Sequence, residues 1–210
     1  MISIPALVEA LKAIGNAQVF RGDPFTAGGF IPIGAKEGAI SVEFEETYSD
    51  LTAPELTGPA VHQRLVMGST ARVTIPVIAG SDDLYATMSP TGLSGGGHSS
   101  PQPVVTTSIL IIPNAEVGGG LSYDGTTWTR LAGNNVAAAS GAAAAPKHAV
   151  ILWRAAPQRP SRSFSPENGG KQILSVVYQA MFFDGAAVPE GQKVWTQGDP
   201  VAKGITTFRL

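Results

Sequence analysis

The sequence contains no cysteine, which excludes disulfides, thiolate catalysis, zinc ribbons and cysteine-bound iron–sulfur clusters. Charged residues are also scarce: they make up 14% of the chain, against roughly 25% in a typical soluble domain. An isolated monomer normally keeps itself soluble with a mixed, charged surface. So low a charge therefore indicates that much of the surface is buried against neighbouring subunits.

An excess of positive charge is missing as well, since the formal net charge is −2 and the isoelectric point is about 5.9. This argues against a protein that neutralises many phosphates, but it leaves open a surface past which nucleic acid slides. No run approaches 18 consecutive apolar residues, and residues 1–5 lack the basic region of a signal peptide. We expect no membrane partner, and synthesis in a cytoplasm until the chain is built into a larger assembly.

Hydrophobic residues make up 43% of the 210 positions, enough for one β domain with a substantial core. Two segments alternate apolar and polar residues with the period of a half-buried strand, 40–45 and 71–77. Pro76 lies in the second segment and has no backbone N–H to donate to a neighbouring strand, which predicts an edge or a bulge there. Further strands are predicted over 104–112, 149–154 and 173–183, with a hairpin over 121–131.

Two short helices are predicted, over 6–14 and 82–88. The segments between the elements are long: 21–39, 46–68, 89–103, 132–146 and 156–171. Loops longer than about 12–15 residues are uncommon in a compact domain unless they are functional or disordered. We therefore predict a mainly β fold, a β-sandwich or barrel subunit with one or two short helices and long loops that serve assembly.

No constellation of catalytic residues is present. The three histidines, His62, His98 and His148, are scattered and lack the spacing of converging metal ligands. The glycine–lysine stretch at 167–172 lacks the first glycine and the Ser/Thr of a phosphate loop, and no nucleophile motif occurs. The sequence predicts no enzyme, no cofactor and no metal.

Carboxylates cluster around the first alternating strand, at Glu43, Glu45, Glu46, Asp50 and Glu55. The spacing of an EF-hand calcium loop is absent. The simplest interpretation is a solvated strand face, paired across the strand with Arg72. An acidic face that lines a channel is the alternative of most interest, because it repels a DNA backbone and lets it pass without binding.

The order of elements resembles the tail tube (major tail) proteins of tailed bacteriophages. The resemblance begins with a strand that ends at 21–23, followed by 32–38 and the acidic strand 41–45. It continues through a long loop at 46–68, the strand 71–78, the short helix near 82–88 and a late strand 176–183 that ends at Asp184-Gly185. It is architectural, covers roughly residues 15–200, and has no single diagnostic motif.

This resemblance implies a single tail-tube-like domain over 1–210, whose sheets join those of its neighbours into a barrel. It implies hexameric rings that stack into a tube conducting the DNA genome in the virion, after synthesis in the host cytoplasm. The partners would be further copies, other tail proteins and the passing DNA. Loop 46–68 would reach the adjacent ring through Tyr48, Leu51 and Leu56, and Glu43 and Glu45 would face the lumen.

The resemblance also implies further contacts from the N-terminal segment 1–17 and the C-terminal tail 200–210. Loops 132–146 and 156–171 depart from the family pattern and leave two other tail components open, a tail terminator and a distal tail protein. A different class also stays open, a monomeric β-sandwich binding module. Such a module would expose aromatics on one face, for which Tyr123, Trp128, Trp153 and Trp195 are the candidates, although core packing is the simpler role for them.

Overall fold

The computed structural model describes residues 17–26, 29–33, 38–52, 61–78, 103–113, 121–123, 128–131, 139–142, 147–158, 161–164, 172–205 and 208. Within these ranges the chain is built of strands and turns, without a helix. The predicted mainly β fold is thereby confirmed. Both predicted helices, 6–14 and 82–88, lie outside the described residues.

Twelve strands are numbered in chain order: β1 (Ala17–Gly22), β2 (Phe30–Pro32), β3 (Ser41–Thr52), β4 (Val61–Ile78), β5 (Thr107–Pro113), β6 (Leu121–Tyr123), β7 (Trp128–Leu131), β8 (Ala139–Ala142), β9 (Val150–Pro157), β10 (Ser161–Phe164), β11 (Gln172–Met181) and β12 (Trp195–Gln197). Nine of them form one open sheet in the order β2-β1-β5-β9-β11-β4-β3, with β12 beside β9 and β10 beside β11. Strands β6, β7 and β8 form a separate small sheet. Every pairing between these strands is antiparallel.

Strand β9 changes partner halfway along its length. Residues 150–152 pair with β12, whereas residues 154–157 pair with β11. In the strand order, β1 and β5 precede β9, and β11 and β4 follow it. Buried side chains from both groups nevertheless form one cluster, which includes Val19, Ile109, Val73 and Val176. The sheet therefore folds over on itself at β9 and encloses this cluster, as strands that switch sheets do in a β-sandwich.

A second cluster covers the opposite face of β5 and β9. Successive residues of β5 point to opposite faces, so Leu110 and Ile112 enter the second cluster while Ile109 and Ile111 enter the first. The strand is buried on both faces, which explains its unbroken apolar run. Burial of Ile205 and Phe208 in this cluster means that part of the expected contact tail, 200–210, is fastened to its own core.

The strands predicted over 71–77, 104–112, 149–154 and 173–183 are confirmed as β4, β5, β9 and β11, and the hairpin over 121–131 as β6 and β7. The edge predicted at Pro76 is present on one side of β4. The β3–β4 ladder ends at the pair Ser41 and Thr74, so β4 runs past its neighbour at Pro76 and needs no donor on that side.

The predicted bounds of the long loop 46–68 are wrong. Strand β3 continues to Thr52 and β4 begins at Val61, so strand covers most of that segment and only 53–60 lies between them. Strands β2, β8 and β10 likewise lie inside segments expected to be loops.

Phe208 is 1% exposed and lies in the second cluster, its ring 6.1 Å from that of Phe30. We expect Phe208→Ala to lower the free energy of unfolding by about 3–5 kcal/mol, because it removes a buried aromatic and leaves a cavity. Urea unfolding followed by circular dichroism measures this. Ala202→Ser at a nearby exposed position is the control and should change stability by less than about 0.5 kcal/mol. An unchanged midpoint for Phe208→Ala would contradict the assignment of the tail to the core.

Candidate assembly surface

The β3–β4 hairpin extends beyond the rest of the sheet. Strand β11 pairs with β4 over residues 72–78 only, so residues 61–70 of β4 have β3 as their sole strand partner among the described residues. Residues 46–52 and 61–69 form this extension and are called the arm. Seven strand residues span about 23 Å. The arm is therefore comparable in length to the strands of the body.

Large apolar side chains are exposed on the arm. Tyr48 is 50% exposed, Val66 60% and Met67 65%, and Leu65 is exposed as well. An isolated two-stranded hairpin is at best marginally stable in water. Contiguous exposed apolar side chains mark interaction surfaces. The arm thus combines a weakly supported backbone with side chains that gain by burial against another molecule.

A β-bulge determines which side chains share a face of the arm. Thr47 pairs with Gly68 and Tyr48 with Val66, so Met67 is an extra residue in β4. Directly opposite residues of an antiparallel pair point to the same face. Val66 therefore shares a face with Tyr48, whereas in a regular ladder without the bulge Met67 would lie opposite Tyr48.

The face that carries Tyr48 continues the core side of the sheet, since Phe44 on the same face lies opposite the buried Ala71. This is the inner face of the arm. At its base the ring of Phe44 lies 4.3 Å from that of Trp195 on β12. The contact joins β3 to the other half of the folded sheet, and it fixes the position from which the arm extends.

An ion pair joins the two strands on the inner face. Nε and Nη2 of Arg64 donate to the two carboxylate oxygens of Asp50 at 2.7 and 3.0 Å, and the guanidinium lies 5.7 Å from the centre of the Tyr48 ring. The hydrogen bond from Arg64 lowers the pKa of Asp50. The Tyr48 hydroxyl donates to Glu46, and this bond raises the pKa of Tyr48. Such exposed contacts stabilise little by themselves but hold the register.

Of the three residues predicted to contact an adjacent ring, Tyr48 and Leu51 lie on the arm. Tyr48 is on its inner face. Leu51 lies in β3 opposite Gln63. Leu56 lies outside the described residues. Val66, Met67 and Arg64 were not predicted, because they lie in a segment expected to be a loop. The run Thr47–Thr52 contains neither glycine nor proline, and that is the signal in the sequence for a continuing strand.

The residues predicted to face a lumen, Glu43 and Glu45, are exposed on the face of β3 opposite the inner face. Glu43 pairs in register with Arg72, as the cross-strand interpretation expected, and Glu45 pairs with Thr70. The two carboxylates thus lie side by side on one strand face at the base of the arm.

An open cleft of about 280 Å³ lies beside the end of β1, lined in part by Asp23, Phe25, Arg154 and Phe183. The Asp23 carboxylate accepts hydrogen bonds from the Phe25 amide at 2.9 Å and from the Thr26 hydroxyl at 2.7 Å. It therefore caps the turn after β1. No group of three or more His, Asp or Glu side chains in the described part of the chain is arranged to hold a metal ion.

No protein-family model and no curated protein sequence matches the chain. In the part of the chain that the structure describes, no helix is long and apolar enough to cross a membrane.

The Asp50–Arg64 pair gives a pH-dependent prediction. Because the pKa of Asp50 is lowered in the folded arm, the stabilisation is present above the ordinary aspartate pKa of about 3.9 and is lost as pH falls through the lowered value. We expect an NMR titration to give a pKa for Asp50 below the ordinary value of about 3.9, and this pKa should rise toward the ordinary value in Arg64→Gln. Arg72→Gln is the matched control and should leave Asp50 unchanged. Equal Asp50 titration in wild type and Arg64→Gln would contradict the pairing.

Proposed function

We propose that the protein is a structural subunit that assembles with copies of itself, and that the arm is its principal contact. The observation that carries this is the arm itself. It is about 23 Å of hairpin with Tyr48, Val66 and Met67 exposed, and among the described residues its two strands pair only with each other. A hairpin of this length and composition is stabilised when its apolar side chains are covered.

The open sheet supports the same proposal. At one end of the strand order, β3 presents an edge of twelve residues that no described strand covers. At the other end, β2 has three residues and ends at Pro32, a short edge of the kind that limits pairing. A long uncovered edge is a template for another chain, so β3 is the edge that a neighbouring subunit would occupy.

The specific assembly we propose is a bacteriophage tail tube of stacked, hexameric rings in the virion. It is supported by the architectural resemblance and by the position of the arm, which lies within 46–68, the segment that the resemblance implies would reach the adjacent ring. Glu43 and Glu45 form an exposed acidic pair suited to a lumen through which DNA passes without binding. The subunit would act by mechanical and electrostatic means, with other tail proteins as further partners and without catalysis.

The monomeric binding module is less well supported. Trp153 is 1% exposed, and its indole N–H donates to Thr196 at 2.8 Å. Trp195 is half-buried and covered by Phe44. These two tryptophans therefore belong to the packing of the sheet and leave no aromatic platform between them.

Negative-stain microscopy and sedimentation of the purified protein test the proposal. We expect rings or tubes from the wild type. We expect the double variant Tyr48→Ser, Val66→Ser to remain folded but to lose tubes, because the substitutions remove exposed apolar surface and no core contact. Val104→Ser, at a position that is 49% exposed and off the arm, is the control and should assemble normally.

The outcomes separate the alternatives. A 21.6 kDa monomer at high concentration would overturn self-assembly. Rings that never stack would favour a terminator or distal tail protein over the tube subunit. Normal tubes from the Tyr48→Ser, Val66→Ser variant would show that the arm is not the principal contact.

A further inference from the structure

Two side-chain contacts fasten the base of the β3–β4 hairpin to the rest of the fold. On β3, the ring of Phe44 lies against that of Trp195, with 4.3 Å between their centres. On β4, the side-chain amide of Gln179 donates to the Thr70 hydroxyl and to the Ala71 carbonyl. Phe44 and Ala71 lie opposite each other in the ladder, so both contacts hold the hairpin at one level. Farther out, no hydrogen bond or ring contact between described residues ties the hairpin to the body.

The β-bulge lies directly beyond these contacts. It falls between the pairs Thr47–Gly68 and Tyr48–Val66, and Met67 is the residue left without a partner across the ladder. A bulge disrupts the ladder locally, so the backbone there is held by fewer hydrogen bonds than the strands on either side. The hairpin is therefore least constrained just past the level at which the body holds it.

Neither space nor backbone conformation requires a glycine at position 68. A Cβ atom placed on Gly68 would meet no atom within 4 Å, and its φ lies outside the positive range. Gly22 is the opposite case, because its φ is 144° and a Cβ atom there would overlap the Gly29 carbonyl oxygen. A glycine inside a strand weakens it, since its backbone has the most freedom to lose. What Gly68 provides is backbone freedom beside the bulge.

Beyond the bulge, the two strands hold each other. Residues 48–52 and 61–67 form the outer arm, in which Arg64 donates two hydrogen bonds to Asp50 and lies 5.7 Å from the centre of the Tyr48 ring. The Tyr48 hydroxyl also donates to Glu46 across the bulge, but both residues are exposed and water competes for this bond. The outer arm is thus fixed within itself and only weakly held to its base.

We propose that Gly68 and the bulge beside it form a hinge, about which the outer arm turns as one unit. Hinges are a few residues, often small ones, that absorb a change in backbone angles while the elements on both sides stay rigid. Resting on the self-assembly proposed above, the hinge keeps the apolar side chains of the outer arm covered by the next copy while the angle between copies changes. A tube built in this way bends without losing its contacts.

Distances between two spin labels, measured by double electron–electron resonance on the dilute subunit, test the hinge. The chain has no cysteine, so introduced cysteines are the only sites that react with the label. Arg154→Cys on β9 with Leu65→Cys on the outer arm spans the hinge, whereas Arg154→Cys with Glu45→Cys ends at the base of β3. All three positions are exposed. The distance distribution of the first pair should be broader by about twofold or more, because only that distance changes when the arm turns.

Gly68→Val removes backbone freedom without removing a contact. The distribution of the pair that spans the hinge should narrow to about the width of the other pair, and Gly68→Ala should narrow it less. Urea unfolding of Gly68→Val should have the wild-type midpoint or a higher one, since the position has open space and no positive φ. Thr47→Val, opposite Gly68 in the ladder, is the matched control. It exchanges one β-branched residue for another and should leave the width unchanged.

Microscopy of assembled tubes tests the part of the hinge in assembly. Tubes of Gly68→Val should be straighter than those of the wild type, with a bending persistence length longer by about twofold or more, because the arm then holds one angle. Tubes of Thr47→Val should bend like those of the wild type.

Equal widths for the two label pairs in the otherwise unaltered chain would overturn the hinge. An unchanged width in Gly68→Val, or a lower urea midpoint, would overturn it as well. Tubes of equal straightness would overturn its part in assembly. A wild-type protein that stays monomeric would instead overturn the proposed function, and the label distances would still decide whether the hinge exists.

Discussion

The change of partner along β9 is the constraint on which the rest of the structure depends. One strand belongs to both halves of the folded sheet, and its residues enter both apolar clusters. Val150 and Leu152 face the first cluster, while Ile151 and Trp153 face the second. Because the core is organised around this strand, the hairpin β3–β4 needs only its base for the fold, and its outer part is available for another purpose.

That division separates stability from assembly. Most of the buried apolar residues lie in β1, β4, β5, β9 and β11 and in the C-terminal segment, whereas the exposed apolar residues of the arm lie beyond the last β4–β11 pair. Phe44 is the point at which the two regions meet. Substitutions on the arm are therefore expected to act on contacts between copies, and substitutions such as Phe208→Ala on the fold.

The sequence predicts the elements whose signal is local. The alternation at 71–77 and the β-branched run at 104–112 are local features of the sequence, and they form β4 and, from Thr107 onward, β5. The partner change of β9 could not be predicted, because it depends on β5, β11 and β12, which are distant in sequence. The burial of Phe208 depends on the same long-range packing. For the candidate surface, the sequence pointed to Tyr48, which lies on the arm, but Gly68 was assigned to a loop although it pairs with Thr47 in the β3–β4 ladder.

The extra residue, Met67, determines which side chains of the outer arm point to each face. Side chains alternate with a period of two, so one inserted or deleted residue exchanges the two faces from that point outward. Arg64 faces Asp50, and Val66 faces Tyr48, only because β4 is one residue longer than β3 across this interval. The arm can therefore tolerate length changes that add or remove one pair of residues on each strand together. A single residue added to or removed from either strand alone, at a position other than the bulge itself, would turn the wrong side chains to each face of the outer arm.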